Sequence, residues 1–332
     1  MSLAEPTTLH AVAEATGLSI ATISKILGGK YKGNTPKGQE RVARVLETAK
    51  RLGYVANASA RRLRGGAHHA VIVIMPVDEY GHPAMFTIEF LLGINEALRD
   101  SRTSVILHTY AREGSSEEGR RLPADRTYDG ALVIDELGDV EQRLAKMGVP
   151  AAFINTALGT RAMSFVRDEQ AAGADLAQAL IDLGYRKLLV VGETLGGHAC
   201  YPQRWHGINA VAAAAGVPVE SIPDPWWTGA LWRKIPQHRI EPGTAVVATD
   251  VHTFLQLQRM LPPTVPLAAC DDCHFLFETR RDLTRVRFDR MALGRLAATH
   301  LLARIANPGF NEVVPAQRGD VIIGPSTPRY NG

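Results

Sequence analysis

At 332 residues the chain exceeds one compact core, and its 45% hydrophobic and 21% charged residues exclude a disordered or low-complexity chain. The net charge of +3 conceals a split: residues 1–66 hold 11 Lys/Arg against 4 Asp/Glu, a net of +7, and the rest of the chain sums to −4. A basic end on an acidic body points to an anionic partner for that end, nucleic acid foremost. Three cysteines, Cys200, Cys270 and Cys273, are too few for a disulfide framework and fit a reducing compartment. No run reaches the ~18 apolar residues of a membrane span, and the first residues lack the basic and apolar regions of a secretion signal. The expectation is a cytoplasmic protein without membrane contact.

The predicted elements begin with three short helices. Thr8 caps a helix carrying Leu9, Val12 and Ala13; Gly17 breaks it; Ser19 caps a second helix carrying Ile23, Ile26 and Leu27. After a polar Gly/Asn-rich stretch, Pro36 opens a third helix with Val42, Val45, Leu46, Ala49 and Leu52 on one face, ended by Gly53. From Ala70 onward short apolar runs alternate with helical segments. Strands are expected at Ala70–Met75, Ser104–Thr109, Ala131–Ile134, Ala151–Ile154, Leu188–Val191, Thr244–Ala248 and Val265–Ala269. Helices are expected at Phe86–Arg99, Glu169–Leu183, Arg204–Ala215 and Met291–Ile305. Continuous apolar strands alternating with helices imply parallel sheets covered on both faces, and the length suits two such lobes.

The stretch Thr8 to Lys25 has the layout of a helix-turn-helix, whose second helix suits the major groove. Leu9, Val12-Ala13, Gly17-Leu18-Ser19, Ala21-Thr22-Ile23-Ser24 and Lys25, followed by Val42, Gly53-Tyr54, Asn57, Ala60 and Leu63, resemble the DNA-binding headpiece of the LacI/GalR family of bacterial repressors. By that resemblance Ile20, Ala21 and Lys25 meet bases, while Ser19, Thr22 and Ser24 hydrogen-bond phosphates. Lys25 can donate to guanine O6 and N7, and Ile20 or Ala21 can pack on a thymine methyl. Asn57–Arg64 is similar to the family's hinge helix, too short to be stable alone, with Leu63 as the minor-groove wedge and Arg61, Arg62 and Arg64 beside it. The competing readings are a partly buried Ile20 and a Leu63 that packs on the larger domain.

The remainder resembles the periplasmic-binding-protein-like sensor of the same family. Pro83, Gly130–Ile134, Asp168, Gly173, Gly184-Tyr185-Arg186-Lys187, Arg204-Trp205-His206-Gly207, Asp271-Asp272, Thr284 and Gly294 carry the likeness. It implies a small all-α headpiece over residues 1–55, a hinge over 56–66, and a two-lobed α/β effector-binding and dimerisation domain with parallel sheets over 67–332. The chain would cross between lobes near 162–166, 287–291 and 318–325. Ligands in such folds sit outside the carboxyl ends of the strands. The family places an effector-contacting arginine at Arg204, a carboxylate at Asp271 and a stacking aromatic at Trp226 or Trp227, with Asn155 and Thr249 at further effector positions. Salt bridges and core packing compete for these residues. Asn155, Thr249 and Gly324–Thr327 depart from common family residues, which leaves a nucleoside or purine as an alternative to a sugar.

Cys270-Asp271-Asp272-Cys273-His274 formally satisfies the Cys-x-x-Cys-His haem pattern, but it coincides with the strand-end ligand loop, and neither cofactor nor metal is expected. No phosphate-cradling loop or nucleophile elbow stands out, so the expectation is not an enzyme. It is a homodimeric repressor that reads a pseudo-palindromic double-stranded operator and is switched by a small polar effector. A solute-binding receptor and a doubly wound enzyme are the alternatives.

Overall fold

The computed structural model describes residues 8–27, 31, 33–54, 68–77, 86–99, 101, 103–111, 121–123, 127–135, 137–156, 163–195, 198–223, 231–235, 240–273 and 283–331. They form two compact units, Met1–His68 and His69–Gly332. In the first, α1 (Leu9–Thr16), α2 (Ile20–Leu27) and α3 (Pro36–Arg51) enclose Val12, Ala13, Ile23, Ile26, Val45 and Ala49. Thr8 caps α1 by accepting from the Ala11 amide at 3.3 Å, and Gly17 turns the chain at φ +67°. Pro36 opens α3 as expected, behind a Thr35 hydroxyl that accepts from the Gly38 amide.

The second unit holds two parallel sheets. Lobe 1 orders its strands β2-β1-β3-β4-β5, with β1 (Ala70–Val77), β2 (Ser104–Ala111), β3 (Gly130–Ile134), β4 (Ala151–Ile154) and β5 (Ser164–Phe165). The unbroken apolar run of β1 serves both faces of that sheet. Val71, Val73 and Met75 meet α4 (Thr87–Arg99) and a helix from the far end of the chain, α10, while Ala70, Ile72 and Ile74 share a core with Val140 and Leu144 of α5 (Val140–Lys146).

Lobe 2 orders its strands β11-β10-β9-β8-β6-β7, parallel except for the β10–β11 pair. They are β6 (Lys187–Gly192), β7 (Val219–Pro223), β8 (Thr244–Ala248), β9 (Leu267–Ala269), β10 (Thr284–Arg287) and β11 (Asp320–Ile322). Helices α6 (Glu169–Asp182) and α7 (Cys200–Ala214) cover one face and α9 (Val251–Met260) the other, with a short α8 at Leu231–Lys234. Helix α7 starts four residues before the expected Arg204, because Pro202 falls in its first turn, where a proline costs no hydrogen bond. Among the described residues no helix is long and apolar enough to cross a membrane.

The chain passes between lobes three times. It leaves lobe 1 after β5 through Val166–Asp168 and returns after β10 through Phe288-Asp289 into α10 (Arg290–Ala306). It then crosses back by Gln317 to reach β11. Gln317 ties the crossovers together: its amide donates to the Val166 carbonyl, its carbonyl accepts from the Asp168 amide, and its side-chain amide donates to the Asp289 carbonyl, each at 2.8 Å.

Two helix pairs dock through glycine. A Cβ on Gly93 of α4 would lie 1.9 Å from the Met291 carbonyl oxygen of α10, and one on Gly294 would lie 2.4 Å from that of Phe90. In lobe 2 a Cβ on Gly173 of α6 would lie 2.2 Å from the Arg204 oxygen of α7, and one on Gly207 would lie 2.0 Å from that of Gln170. Backbone meets backbone at both crossings, so no rotamer change can make room. Gly173→Ala and Gly93→Ala are each expected to cost about 2–3 kcal/mol in chemical denaturation. Gly309→Ala, whose Cβ would meet only the Asn307 side chain at 3.4 Å, is expected within about 0.5 kcal/mol of wild type.

Candidate functional site

On the first unit the burial pattern of α2 separates core from surface. Ile23 and Ile26 point inward, whereas Ser19, Ala21 and Lys25 are exposed, Ile20 is 37% exposed, and Thr22 and Ser24 are half-buried. The Ser19 hydroxyl accepts from the Thr22 amide at 3.3 Å and lies 2.9 Å from the Thr22 hydroxyl, which fixes the start of α2. One residue absent from the sequence reading supports this geometry: Arg44 of α3 donates to the Thr16 carbonyl at 3.3 Å, at the end of α1 just before the Gly17 turn. Asn57, Ala60 and Leu63 lie outside the described residues.

In the second unit the carboxyl ends of β3, β4, β6, β8 and β9 converge, and four of the five candidates meet there. Arg204 donates from Nη1 to the Thr249 carbonyl at 2.5 Å and from Nη2 to Asp271 Oδ2 at 2.8 Å. Arg167 donates from Nε to Asn155 Oδ1 at 3.0 Å and from Nη1 to both Asp271 oxygens at 3.2 Å. Arg204 and Asp271 are thus gripped by each other, 1% and 6% exposed. Trp226 and Trp227 lie outside the described residues.

The cluster extends to residues that local sequence pattern did not nominate. Glu169 holds Arg204 Nε at 2.7 Å and Arg167 Nη2 at 2.6 Å. Arg290, at the start of α10, contacts Asp271 Oδ1 through Nη2, and its Nη1 reaches Asp272 Oδ1 at 3.2 Å and Glu89 Oε2 at 3.3 Å. The signal was spacing. Asp168 caps α6 and Asp289 caps α10, each accepting from the amide three residues on, and each docking glycine follows its cap by five residues. The residue after the cap is Glu169 in one helix and Arg290 in the other, so the two pairs, Glu169–Arg204 and Arg290–Glu89, are alike with charges exchanged.

A second contact closes the cleft. His198 of lobe 2 places Nε2 3.1 Å from Asp135 Oδ1 and 3.1 Å from the Asn155 carbonyl of lobe 1, while Asn155 Nδ2 donates to Asp135 Oδ1 at 2.7 Å. Asp135 and Asn155 both adopt left-handed backbone, φ +69° and +63°, a cost retained where the surrounding structure requires it. Burial opposes charge on His198, but the Asp135 carboxylate and the Cys200 side chain outweigh it and push the imidazole up to about 10. A shallow depression of about 500 Å³ beside Asp129, Pro150 and Arg304 lies at the other end of the lobe 1 strands. Cys270 and Cys273 are buried, and burial pushes the Cys270 thiol up to about 12.

The two adjacent aspartates are unequal. Burial would raise Asp271, yet Arg167, Arg290 and Arg204 hold it far below the usual carboxylate range, so its stabilising contribution is complete at neutral pH and disappears only in strong acid. Burial and the Asp271 charge push Asp272 up in spite of Arg290, so its ionisation costs stability at neutral pH and acid relieves that cost. Asp271→Asn is expected to lose about 3–5 kcal/mol by leaving three arginines undercompensated. Asp272→Asn, which mimics the protonated form, is expected to stay within about 1 kcal/mol of wild type; equal losses in denaturant titrations would refute the asymmetry.

No protein-family model matches the sequence. The HTH-type transcriptional regulator AglR of Rhizobium meliloti (strain 1021) is 25% identical over 97% of this chain and 94% of its own length. The maltose regulon regulatory protein MalI of Escherichia coli (strain K12) is 30% identical over 58% of this chain and 55% of its own. Among solved structures, the Lac repressor dimer bound to operator and the anti-inducer ONPF matches with a TM-score of 0.73 at 16% identity, covering 98% of this chain and all of that one. The CelR–cellobiose complex matches at 0.63 and 22% identity, over 96% of this chain and 99% of that one. The structures establish the fold of a helical headpiece followed by two α/β lobes with parallel sheets, and the sequence relatives are regulators rather than enzymes. Over almost its whole length the chain is similar to an HTH-type transcriptional regulator, and its fold is that of the Lac repressor and of other solved LacI-family regulators.

Proposed function

We propose that this regulator is a repressor that reads a pseudo-palindromic operator as a homodimer, and that a small polar metabolite, a sugar in preference to a nucleoside, binds between its lobes and switches operator affinity. One observation carries the switching half: Arg167 and Arg290 lie on the crossovers and bond residues of both lobes at the strand ends. A ligand that rearranges this cluster therefore changes the angle between the lobes. In this reading Asn155, Arg204, Thr249 and Asp271 form the effector site together with Trp227, and the hinge over 56–66 passes the change to DNA through Asn57, Ala60 and Leu63.

The sugar preference has support from relatives: MalI regulates a maltose regulon by its name, and CelR was solved with cellobiose. The dimer has two supports. The Lac repressor was solved as a dimer on its operator, and here Ile88 and Leu92 of α4 and Met291 of α10 are exposed around the Gly93 crossing, an apolar patch suited to a second copy. On DNA, Ser19, Thr22 and Ser24 face phosphates, and Ile20, Ala21 and Lys25 face bases.

Selection of bound duplexes from a random pool tests the reading directly. Enrichment of two inverted half-sites is expected, and Lys25→Ala should weaken binding by about 1–3 kcal/mol and relax one position in each half-site. Repeating the selection with maltose, cellobiose and a nucleoside should change operator affinity for a sugar. A pool without any enriched sequence, with or without these compounds, sinks the proposal.

A further inference from the structure

The cluster between the lobes is built on arginine, the side chain best suited to grip carboxylate and phosphate groups. Its guanidinium groups are nevertheless occupied by the chain itself. Arg204 is held by Glu169, Asp271 and the Thr249 carbonyl; Arg167 by Glu169, Asp271 and Asn155; Arg290 by Glu89, Asp271 and Asp272. Arg285 donates to Asp272 at 3.3 Å and to the Leu283 carbonyl at 3.1 Å. These four arginines face four carboxylates, Glu89, Glu169, Asp271 and Asp272, and the sum is zero. His198 and Asp135 add a further balanced pair. Asp250, which caps α9 and accepts from the Thr253 hydroxyl at 2.8 Å, and Glu193 after β6 turn the same strand ends slightly negative.

Glu89 and Glu169 stand in the first turns of α4 and α6, 5% and 4% exposed, each four residues before a glycine at which the partner helix crosses. The crossings bring Arg290 to one and Arg204 to the other. Each glutamate thereby occupies the place an anionic ligand would need.

We infer that Glu89 and Glu169 are the residues that exclude phosphorylated and carboxylated metabolites from this cleft. The inference rests on reading the cleft as the effector site. An entering anion must either evict a carboxylate, leaving it unpaired in the interior, or add surplus negative charge to a desolvated and balanced cluster. A polyhydroxylated neutral ligand meets neither cost, since each hydroxyl donates to a carboxylate and accepts from an N–H without a counter-charge. Asp250, Asp135, Asn155 and His198 supply both kinds of partner at the strand ends. Arg290 Nε, buried and without an acceptor among the described residues, adds one donor that a single hydroxyl or water satisfies.

Inorganic phosphate is the probe, with the full-length chain, followed by 31P NMR titration and by thermal unfolding against chloride at equal ionic strength. Glu169→Gln removes one negative charge from beside Arg204 and Arg167, and Glu89→Gln removes one from beside Arg290. Each variant is expected to unfold at a lower temperature than wild type and to bind one phosphate more than wild type, with Kd of about 1 mM, regaining thermal stability as it does so. The headpiece is identical in all three proteins, so its own affinity for phosphate cancels. Folded variants that bind phosphate no better than wild type overturn the inference. Should neither variant fold, wild type decides: saturable binding of phosphate that survives Lys25→Ala overturns the inference, and its absence upholds it. These results are read without DNA, so they leave operator binding standing or falling on the duplex selection alone.

Discussion

One carboxylate holds the sensor together. Asp271, at the end of β9, receives guanidinium groups from three places in the chain: Arg167 on the first crossover, Arg204 on α7 and Arg290 at the head of α10. Burying an ion is costly, and attraction repays that cost only when every remaining hydrogen-bonding position is satisfied. Here Asp271 Oδ1 also accepts from the Asp272 amide at 2.9 Å, and the arginines in turn are shared among Glu89, Glu169 and Asp272. Each charge is compensated by neighbours that are themselves compensated, so the relative position of the lobes becomes a condition of electroneutrality.

That condition can be met because the helices are placed first. Gly93 with Gly294 and Gly173 with Gly207 let two helix pairs approach until backbone touches backbone, and this closeness delivers Arg290 to Glu89 and Arg204 to Glu169. Longer side chains at the crossings would separate the helices and pull each arginine off its carboxylate. Packing and electrostatics are therefore successive consequences of one spacing, in which an aspartate cap is followed by a charged residue and then, four positions on, by glycine.

Much of this fold was legible before any coordinates, because it is governed by local rules. The alternation of buried strand and helix from Ala70, the Thr8 and Ser19 caps and the opening of α3 at Pro36 depend on residues within a few positions of one another. Short elements such as β5, β10 and β11 escaped notice, since two to four residues carry no period. The same limit applied to the site. Arg204 and Asp271 were identifiable by their surroundings in sequence, but they turned out to face each other, with Arg167 and Arg290 between them and the lobes. Arg290 lies 201 residues from Glu89 and Arg167 lies 104 from Asp271, distances over which sequence pattern alone says nothing about partnership. Arg44 was hidden for a similar reason: its partner, the Thr16 carbonyl, is a backbone atom with no sequence identity.

Gln317 gives the sensor its mechanical character. Its backbone is paired with the first crossover and its side chain with the second, while it belongs itself to the third. Three straps tied to one another at one residue resist independent twisting and favour movement about a common hinge. A domain that turns about one hinge transmits one quantity. Under the switching proposed above, ligands that differ in shape are distinguished downstream only as different angles of that hinge.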